Sequence, residues 1–324
     1  MLASKSDRVF IAGAYGMVGS AIVRALKSEG FENLLCPTKS ELDVTRQDEV
    51  ESFYSSEKPE YVFIAAAKVG GIHANETYPA DFIFENLQIE CNLIHSAYLA
   101  KVVGLTFLGS SCIYPKFSEQ PISESALLQS SLEASNEPYA VAKIAGIKMC
   151  EAYNRQYNTD FRSLMPSNLY GPGDNFHLED SHVIPALIQR LHHAKQLGDN
   201  EVEIWGTGEA YREFLHVDDL ASACVDIAQL PREKINAVTT RANPQINIGS
   251  GTEITIRTLA ENLARILGYK GNLVFDRTRT DGTPRKLLDI SRARELGWQP
   301  QIKLEDGLAS TYQWYLDNQN SLRK

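Results

Sequence analysis

Two short runs in this chain carry the side chains for carbonyl chemistry. They are residues 108–112, Leu-Gly-Ser-Ser-Cys, and residues 139–143, Tyr-Ala-Val-Ala-Lys. Together they offer a hydroxyl, a thiol, a phenol and an ammonium to one substrate carbonyl. Tyr139 and Lys143 are four positions apart, a spacing that puts both on one face of a helix, about 6 Å apart along its axis. A lysine charge there favours the phenolate, so the expectation is a tyrosine pKa lowered towards working pH and a phenol that gives and takes protons. The Ser110 hydroxyl would fix the oxygen that receives the proton. This predicts interconversion of a carbonyl and an alcohol, and the thiol of Cys112 points to a second reaction. Plainer readings stand beside these. A tyrosine and a snorkelling lysine share many helix faces, and most free cysteines are small buried residues.

The position of the runs favours function. Gly13-Ala14-Tyr15-Gly16-Met17-Val18-Gly19 directly follows the first strand-like run. Glycines at this spacing allow a tight turn, close approach to a pyrophosphate and tight helix packing, and the helix N-terminus offers N–H groups to phosphates. An NAD site usually has Asp or Glu about 20 residues further on. Here Pro37-Thr38-Lys39-Ser40 brings no carboxylate until Glu41. A cation without an acid suits a 2′-phosphate, which favours NADP, although Lys39 alone would also serve as a solvated surface lysine.

The elements that must position these groups alternate as βαβ units do. Strands are expected at Arg8–Ala12, Asn33–Cys36, Tyr61–Ala66, Leu105–Gly109 and Phe161–Pro166. Helices are expected at Val18–Ser28, at Phe82–Ala100 and from Pro138, with Asn136 near the cap of the helix that carries Tyr139. The fold class is α/β: a Rossmann-type doubly wound parallel sheet with a smaller C-terminal α/β substrate lobe. Residues 1–169 would form the dinucleotide-binding domain, with returning segments near 212–232 and 287–297, and 170–324 mainly the substrate lobe. After Leu169, turn chemistry at 170–175 breaks the rhythm. A helix at His182–Gln196, a strand at Glu201–Trp205, a strand at Arg212–Val217 capped by Asp218-Asp219, and helices at Ile256–Leu267 and Leu304–Leu316 follow.

The 324 residues are 43% hydrophobic and 23% charged with a net charge of −9, which suits a globular protein and excludes a broad nucleic-acid footprint. An anionic substrate therefore needs a local basic pocket, for which Arg190, Arg212 and Lys286 are candidates. Arg212 can grip a diphosphate and Trp205 can stack on a base or sugar, or both can be ordinary surface and core residues. His182 reads equally as a helix cap. The five cysteines include no C-x-x-C pair, which predicts free thiols in a reducing compartment and no metal site. No apolar run reaches about 18 residues, so no membrane span or secretory signal is expected, and the predicted location is cytoplasmic.

With these residues assembled, the chain resembles the extended short-chain dehydrogenase/reductase superfamily and, within it, the GDP-L-fucose synthase family. The resemblance runs from about Val9 to Gln319. Its segments include Arg212-Glu-Phe-Leu-His-Val-Asp-Asp219, and the narrow ones are Ser110-Ser-Cys-Ile-Tyr-Pro115, Ser181-His-Val-Ile-Pro185 and Asp281-Gly-Thr-Pro-Arg-Lys286. The resemblance implies an NADP-dependent oxidoreductase that converts GDP-4-keto-6-deoxy-D-mannose to GDP-L-fucose by 3,5-epimerisation and then reduction at C4. It implies Ser110, Tyr139 and Lys143 as the reductase triad and Cys112 and His182 as the epimerising pair. Leu108, Gly109, Ser110, Ser111, Lys143, Pro166, Ser167, Asn168, Leu169 and His182 match stretches that touch the cofactor. Arg190, Trp205, Arg212 and Asp281 match substrate-contacting positions. Tyr15 departs from the basic residue that many bacterial members carry there, which implies a weaker preference for NADP. A homodimer is expected through the helices that follow the third strand and carry the Tyr/Lys pair. The rival readings are another nucleotide-sugar epimerase or dehydratase of the group, and a non-catalytic dinucleotide sensor.

Overall fold

The computed structural model describes residues 1–177, 181–279 and 282–322. Short runs of Val, Ile, Leu and Phe bounded by polar turns become fully buried parallel strands, because helices cover both faces of the sheet. The first is β1 (Val9–Ala12), followed by α1 (Met17–Ser28), β2 (Leu34–Leu35), α2 (Gln47–Glu57), β3 (Tyr61–Ile64), α3 (Ile72–Thr77) and α4 (Pro79–Leu99). Then come β4 (Gly104–Leu108), α5 (Glu137–Tyr157) and β5 (Phe161–Pro166). After β6 (Asn168–Tyr170) the chain runs through α6 (Val183–Leu197), β7 (Glu201–Trp205), β8 (Tyr211–His216), α7 (Val217–Gln229), α8 (Arg232–Val238) and β9 (Gln245–Ile248). It ends with β10 (Glu253–Thr255), α9 (Ile256–Leu267), β11 (Asn272–Asp276), β12 (Arg285–Lys286), α10 (Ser291–Glu295) and α11 (Leu304–Asp317).

The main sheet has six parallel strands in the order β2-β1-β3-β4-β5-β9. The strand order reverses between β1 and β3, and the crevice at the C-terminal ends of strands beside such a reversal is where ligands of these sheets bind. This is the Rossmann-type arrangement expected from the sequence. Val9, Ile11, Phe63, Leu164 and Ile246 pack on one face with α1 and α7, and Phe10, Val62, Ile64, Phe107 and Met165 pack on the other with α4 and α5. Several elements fall outside the sequence expectation, among them α2, α3, α8 and the sixth strand, β9, supplied from beyond α8.

The second lobe surrounds its own core of Phe176, Leu187, Ile188, Leu191, Ile204, Leu259 and Leu263. Its central strand β8 pairs with β6, β10 and β12, and β7 pairs with β11. Ser167 alone separates β5 from β6, so the chain changes sheets within one residue, and the two sheets meet beside the C-terminal edge of the first. α7 begins differently from the expected Asp218-Asp219 cap. His216 is its N-cap and accepts from Asp218 N at 3.2 Å. The Asp219 carboxylate instead accepts from the backbone N–H groups of Gln301 and Ile302, both at 3.0 Å.

Candidate active site

The glycine turn folds as its residue types demand. Gly13 has φ +84°, in the left-handed region, and a Cβ there would lie 2.7 Å from Ala66 N. A Cβ on Gly19 would overlap the Gly13 carbonyl oxygen. α1 then starts with no capping side chain and no acidic residue in its first turn. Its first turn thus brings N–H groups and no carboxylate of its own, the chemistry a pyrophosphate needs. Ala14 is buried, and Met17 and Val18 are half-buried in the helix start. Tyr15 stands 62% exposed. Lys39 is exposed in the segment after β2, and the Glu41 carboxylate there is turned onto Thr38, accepting from its N at 2.7 Å and its Oγ1 at 2.8 Å. Those bonds hold the Glu41 carboxyl below the ordinary range.

At the end of β4, Leu108 is buried, and a Cβ on Gly109 would strike the Met165 side chain. Ser110 caps the 3₁₀ turn Ser111–Ile113, its hydroxyl accepting from Cys112 N at 3.3 Å. The turn therefore fixes where the thiol points. The Cys112 sulfur accepts from Asn136 Nδ2 at 3.2 Å. Asn136 is the N-cap residue of α5 but makes no capping bond with its side chain. Its amide is spent on the thiol.

Tyr139 is half-buried and meets Phe82 edge-on, with ring centroids 6.3 Å apart. Desolvation pushes its phenol above the ordinary value, the charges of Cys112 and Glu90 push the same way, and the Ser110 hydroxyl pulls it down. Lys143 is on the expected face, its Nζ 5.9 Å from the Tyr139 ring centroid. The expected lowering of the Tyr139 pKa by Lys143 is nevertheless absent here. Lys143 is 2% exposed, and its ammonium pairs with Glu90 of α4 at 3.1 Å, over the Phe107 ring at 4.8 Å. Glu90 is itself 1% exposed. Burial pushes its carboxyl up, and Lys143 opposes that rise. Sequence reasoning missed Glu90, although a signal exists: Asn86 and Glu90 interrupt the buried stripe of α4 formed by Phe82, Ile89, Leu93, Ile94 and Ala97.

At the switch between the sheets, Pro166 ends β5 and the Ser167 hydroxyl is buried without a protein partner. The Asn168 amide donates to Glu213 O at 2.8 Å, so it ties β6 to β8, and Leu169 packs against the core of the first domain. His182 is the N-cap of α6 but makes no capping bond with its side chain, and it is exposed. The protein crowding its other sides desolvates the ring and lowers its pKa.

Trp205 is held between two guanidinium groups, Arg190 at 4.3 Å and Arg279 at 4.8 Å from the ring centroid. Arg279 escaped the sequence analysis. Arg212 lies in register with Lys286 on β12. It lines an open cavity of about 280 Å³ with Phe214, Ile254, Lys303 and Leu304, none of which belongs to the Ser110–Cys112–Tyr139 cluster. Asp281 lies outside the described residues. The structure thus brings Ser110, Cys112, Tyr139 and Lys143 together, and gathers Arg190 and Trp205 in a second group. Among the described residues no cluster of His, Cys, Asp and Glu could hold a metal ion.

Residues 9–249 match the NAD dependent epimerase/dehydratase family. The chain is 59% identical to GDP-L-fucose synthase 1 of Arabidopsis thaliana, over 98% of this chain and 95% of that one. It is 55% identical to GDP-L-fucose synthase of Escherichia coli K12, over 98% and 99%. Among solved structures it is similar to a GDP-mannoheptose C4 reductase from Campylobacter jejuni with NADP bound, with a TM-score of 0.87 and 39% identity, covering 97% of this chain and 99% of that one.

Proposed function

We infer, from a chain that belongs to the NAD dependent epimerase/dehydratase family and within it to the GDP-L-fucose synthases, an enzyme that converts GDP-4-keto-6-deoxy-D-mannose to GDP-L-fucose. It does so by 3,5-epimerisation and NADPH-dependent reduction at C4. The observation that carries this reading is a thiol seated within a reductase triad: Cys112 capped by Ser110, bonded by Asn136 and adjoining Tyr139. A plain reductase has no use for a proton carrier there.

The residues fit the cofactor. At Gly13 and Gly19 the turn closes onto backbone that a Cβ would strike, the first turn of α1 carries no acidic residue, and the buried Ser167 hydroxyl lacks a protein partner. Lys39 would face the 2′-phosphate, with Glu41 turned away onto Thr38. Leu108 to Ser111 and Pro166 to Leu169 would line the nicotinamide end. NADPH bound there supplies the hydride for C4.

The chain's own residues do the rest. The C4 ketone acidifies the hydrogens on C3 and C5, so one carbonyl serves both reactions. Cys112 as thiolate takes a proton, forming S–H as the C–H bond breaks, and the electron pair moves onto the C4 oxygen. Ser110 and Tyr139 hydrogen-bond that oxygen, the kind of stabilisation usually worth most in such sites. His182 returns a proton on the opposite face and inverts the centre. Its lowered pKa makes the imidazolium a strong, short-lived acid. In the reductive step Tyr139 gives its proton to the C4 oxygen. The upward push on its pKa keeps the phenol protonated and ready to donate. Lys143 lies on the same helix face, its ammonium held by Glu90. Arg190, Trp205, Arg212 and Asp281 bind the GDP-sugar, supported by the stacked guanidinium and indole groups of Arg190 and Trp205.

Two finer readings accompany this one. The chain pairs as a homodimer through α4 and α5, supported by Phe84 and Leu99 on α4 and Val141 and Tyr157 on α5, all apolar and exposed. It works in the cytoplasm, supported by five free cysteines; among the described residues no helix is long and apolar enough to cross a membrane.

The test is NADPH consumption with GDP-4-keto-6-deoxymannose, with deuterium incorporation from solvent at C3 and C5 read by NMR. Tyr139→Phe should cut reduction by about 10²–10⁴ and leave exchange measurable. Cys112→Ser should suppress exchange and retain NADPH binding. Wild-type exchange in Cys112→Ser would remove the epimerase from the reading, and turnover without net NADPH consumption would point to a 4-epimerase or dehydratase.

A further inference from the structure

The Cys112 sulfur receives a second donor that the mechanism above does not use. Lys286 Nζ lies 3.9 Å from Sγ. The two donors come from different parts of the molecule: Asn136 from the start of α5 on the main sheet, and Lys286 from β12 in the second lobe. Lys286 is half-buried on a two-residue strand whose position is fixed on several sides. It pairs in register with Arg212 of β8. Immediately after it, Leu287 N donates to Gln120 Oε1 at 2.9 Å and Leu288 N donates to Glu213 Oε2 at 2.9 Å. The neighbouring cations have carboxylate partners: Lys116 pairs with Glu133, Lys143 with Glu90 and Arg285 with Glu253. Among the described residues no carboxylate pairs with Lys286, and its contact is the sulfur.

We propose that Lys286 is a catalytic residue of the epimerisation, the cation that holds Cys112 in its anionic, proton-accepting form. This rests on the proposed role of Cys112 as base and names what makes that role workable near neutral pH. A free thiol is mostly protonated there, and thiolates persist beside cations. Two donors aimed at one sulfur, one of them an ammonium, favour the anion on both counts that matter, charge and hydrogen bonding. The groups that face the sulfur among the described residues are Asn136 and Tyr139 from α5 and Lys286 from β12. Only Lys286 brings positive charge. The proton balance is simple: the thiolate takes the sugar proton, the negative charge passes to the C4 oxygen, and the ammonium keeps its protons throughout. Because the ammonium belongs to the second lobe, the base is complete only when that lobe is seated against the first.

The test is alkylation of Cys112 by iodoacetamide in the NADP-loaded protein, followed peptide by peptide from about pH 6 to pH 10. In Lys286→Met the rate at neutral pH should fall about ten-fold and the pH of half-maximal rate should rise by about one unit. Lys286→Arg should restore both, and the exposed Cys91 should be unaffected. Exchange at C3 and C5 should fall by the same factor at neutral pH and recover as pH rises. Lys286→Gln gives the same reading if the Met variant does not fold. An unchanged rate and midpoint in the folded Met or Gln variant would overturn the proposal. Alkylation needs no sugar, so a wrong substrate assignment would abolish exchange in the wild type while leaving the alkylation result standing.

Discussion

Glu213 sets desolvation against hydrogen bonding in one buried group. It is 0% exposed, and its carboxylate accepts from Gly251 N at 2.7 Å and Leu288 N at 2.9 Å, with Ser250 adding weaker bonds. It therefore clamps β8 to the loop after β9 and to the residues that follow Lys286. Burial pushes its carboxyl up from 4.5 to about 7, and the N–H donors recover only part of that rise. A shift of that size corresponds to about 3 kcal/mol. The sign follows from proton binding. Between pH 4.5 and about 7 the folded protein keeps the proton on Glu213 and the unfolded chain has released it. The contribution to stability is thus complete below the unfolded value and is lost as pH rises through the folded one. Glu213→Gln keeps the shape and stays neutral. Denaturant unfolding of both proteins at half-unit steps across this window should show the Gln variant gaining about 3 kcal/mol on the wild type as pH rises. A constant gap would refute the reasoning. A Gln variant that instead loses ground on the wild type as pH rises would show that the backbone donors outweigh burial and that the carboxylate is the native form.

Two further predictions concern the groups beneath the site. Glu90→Leu leaves the Lys143 ammonium buried without its partner and should cost about 3–5 kcal/mol, read as a lower unfolding midpoint in denaturant. Adding Lys143→Leu should recover much of that loss, and full additivity of the two losses would show that the pair does not act as a unit. Gly19→Ala places a methyl group against the Gly13 carbonyl, so α1 must shift from the turn at a cost of about 1–3 kcal/mol. NADPH affinity, measured by fluorescence titration, should fall at least about ten-fold, and unchanged affinity would show that the helix start does not hold the pyrophosphate.

What the sequence made legible is what local chemistry decides. The runs at 61–64 and 161–166 are buried strands because they are apolar throughout, and Pro138 opens α5 because a first helical turn tolerates it. The glycine turn is legible through its spacing and its place after β1, and at Gly19 the side chain is excluded by the turn's own Gly13 carbonyl. α2 was not legible, because only Val50 and Tyr54 of its residues are buried, too few to mark a face. β9 misleads in another way. Gln245-Ile246-Asn247-Ile248 alternates like a half-exposed strand, yet all four residues are buried. The amide N–H groups of the polar pair find partners inside: Gln245 donates to Glu124 O, and Asn247 donates to Ile122 O and Asp289 O. Those partners lie more than forty positions away in the chain, where no local pattern reaches. The same limit hid the Glu90–Lys143 pair, whose members meet only because α4 and α5 pack side by side.

The division of labour across the cleft follows from this architecture. Ser110, Tyr139 and Lys143 all belong to the main sheet and its helix α5, so the geometry of carbonyl reduction is set by one rigid body. Epimerisation is built differently. Its thiol sits on that same body, but His182 heads α6 and Lys286 ends β12, both in the second lobe. The two proposed proton carriers, Cys112 and His182, therefore stand on different lobes. Contacts across the junction of the two sheets include the single-residue step at Ser167, the Asn168 amide on β8, the Glu213 clamp on Leu288 and the bond from Leu287 N to Gln120.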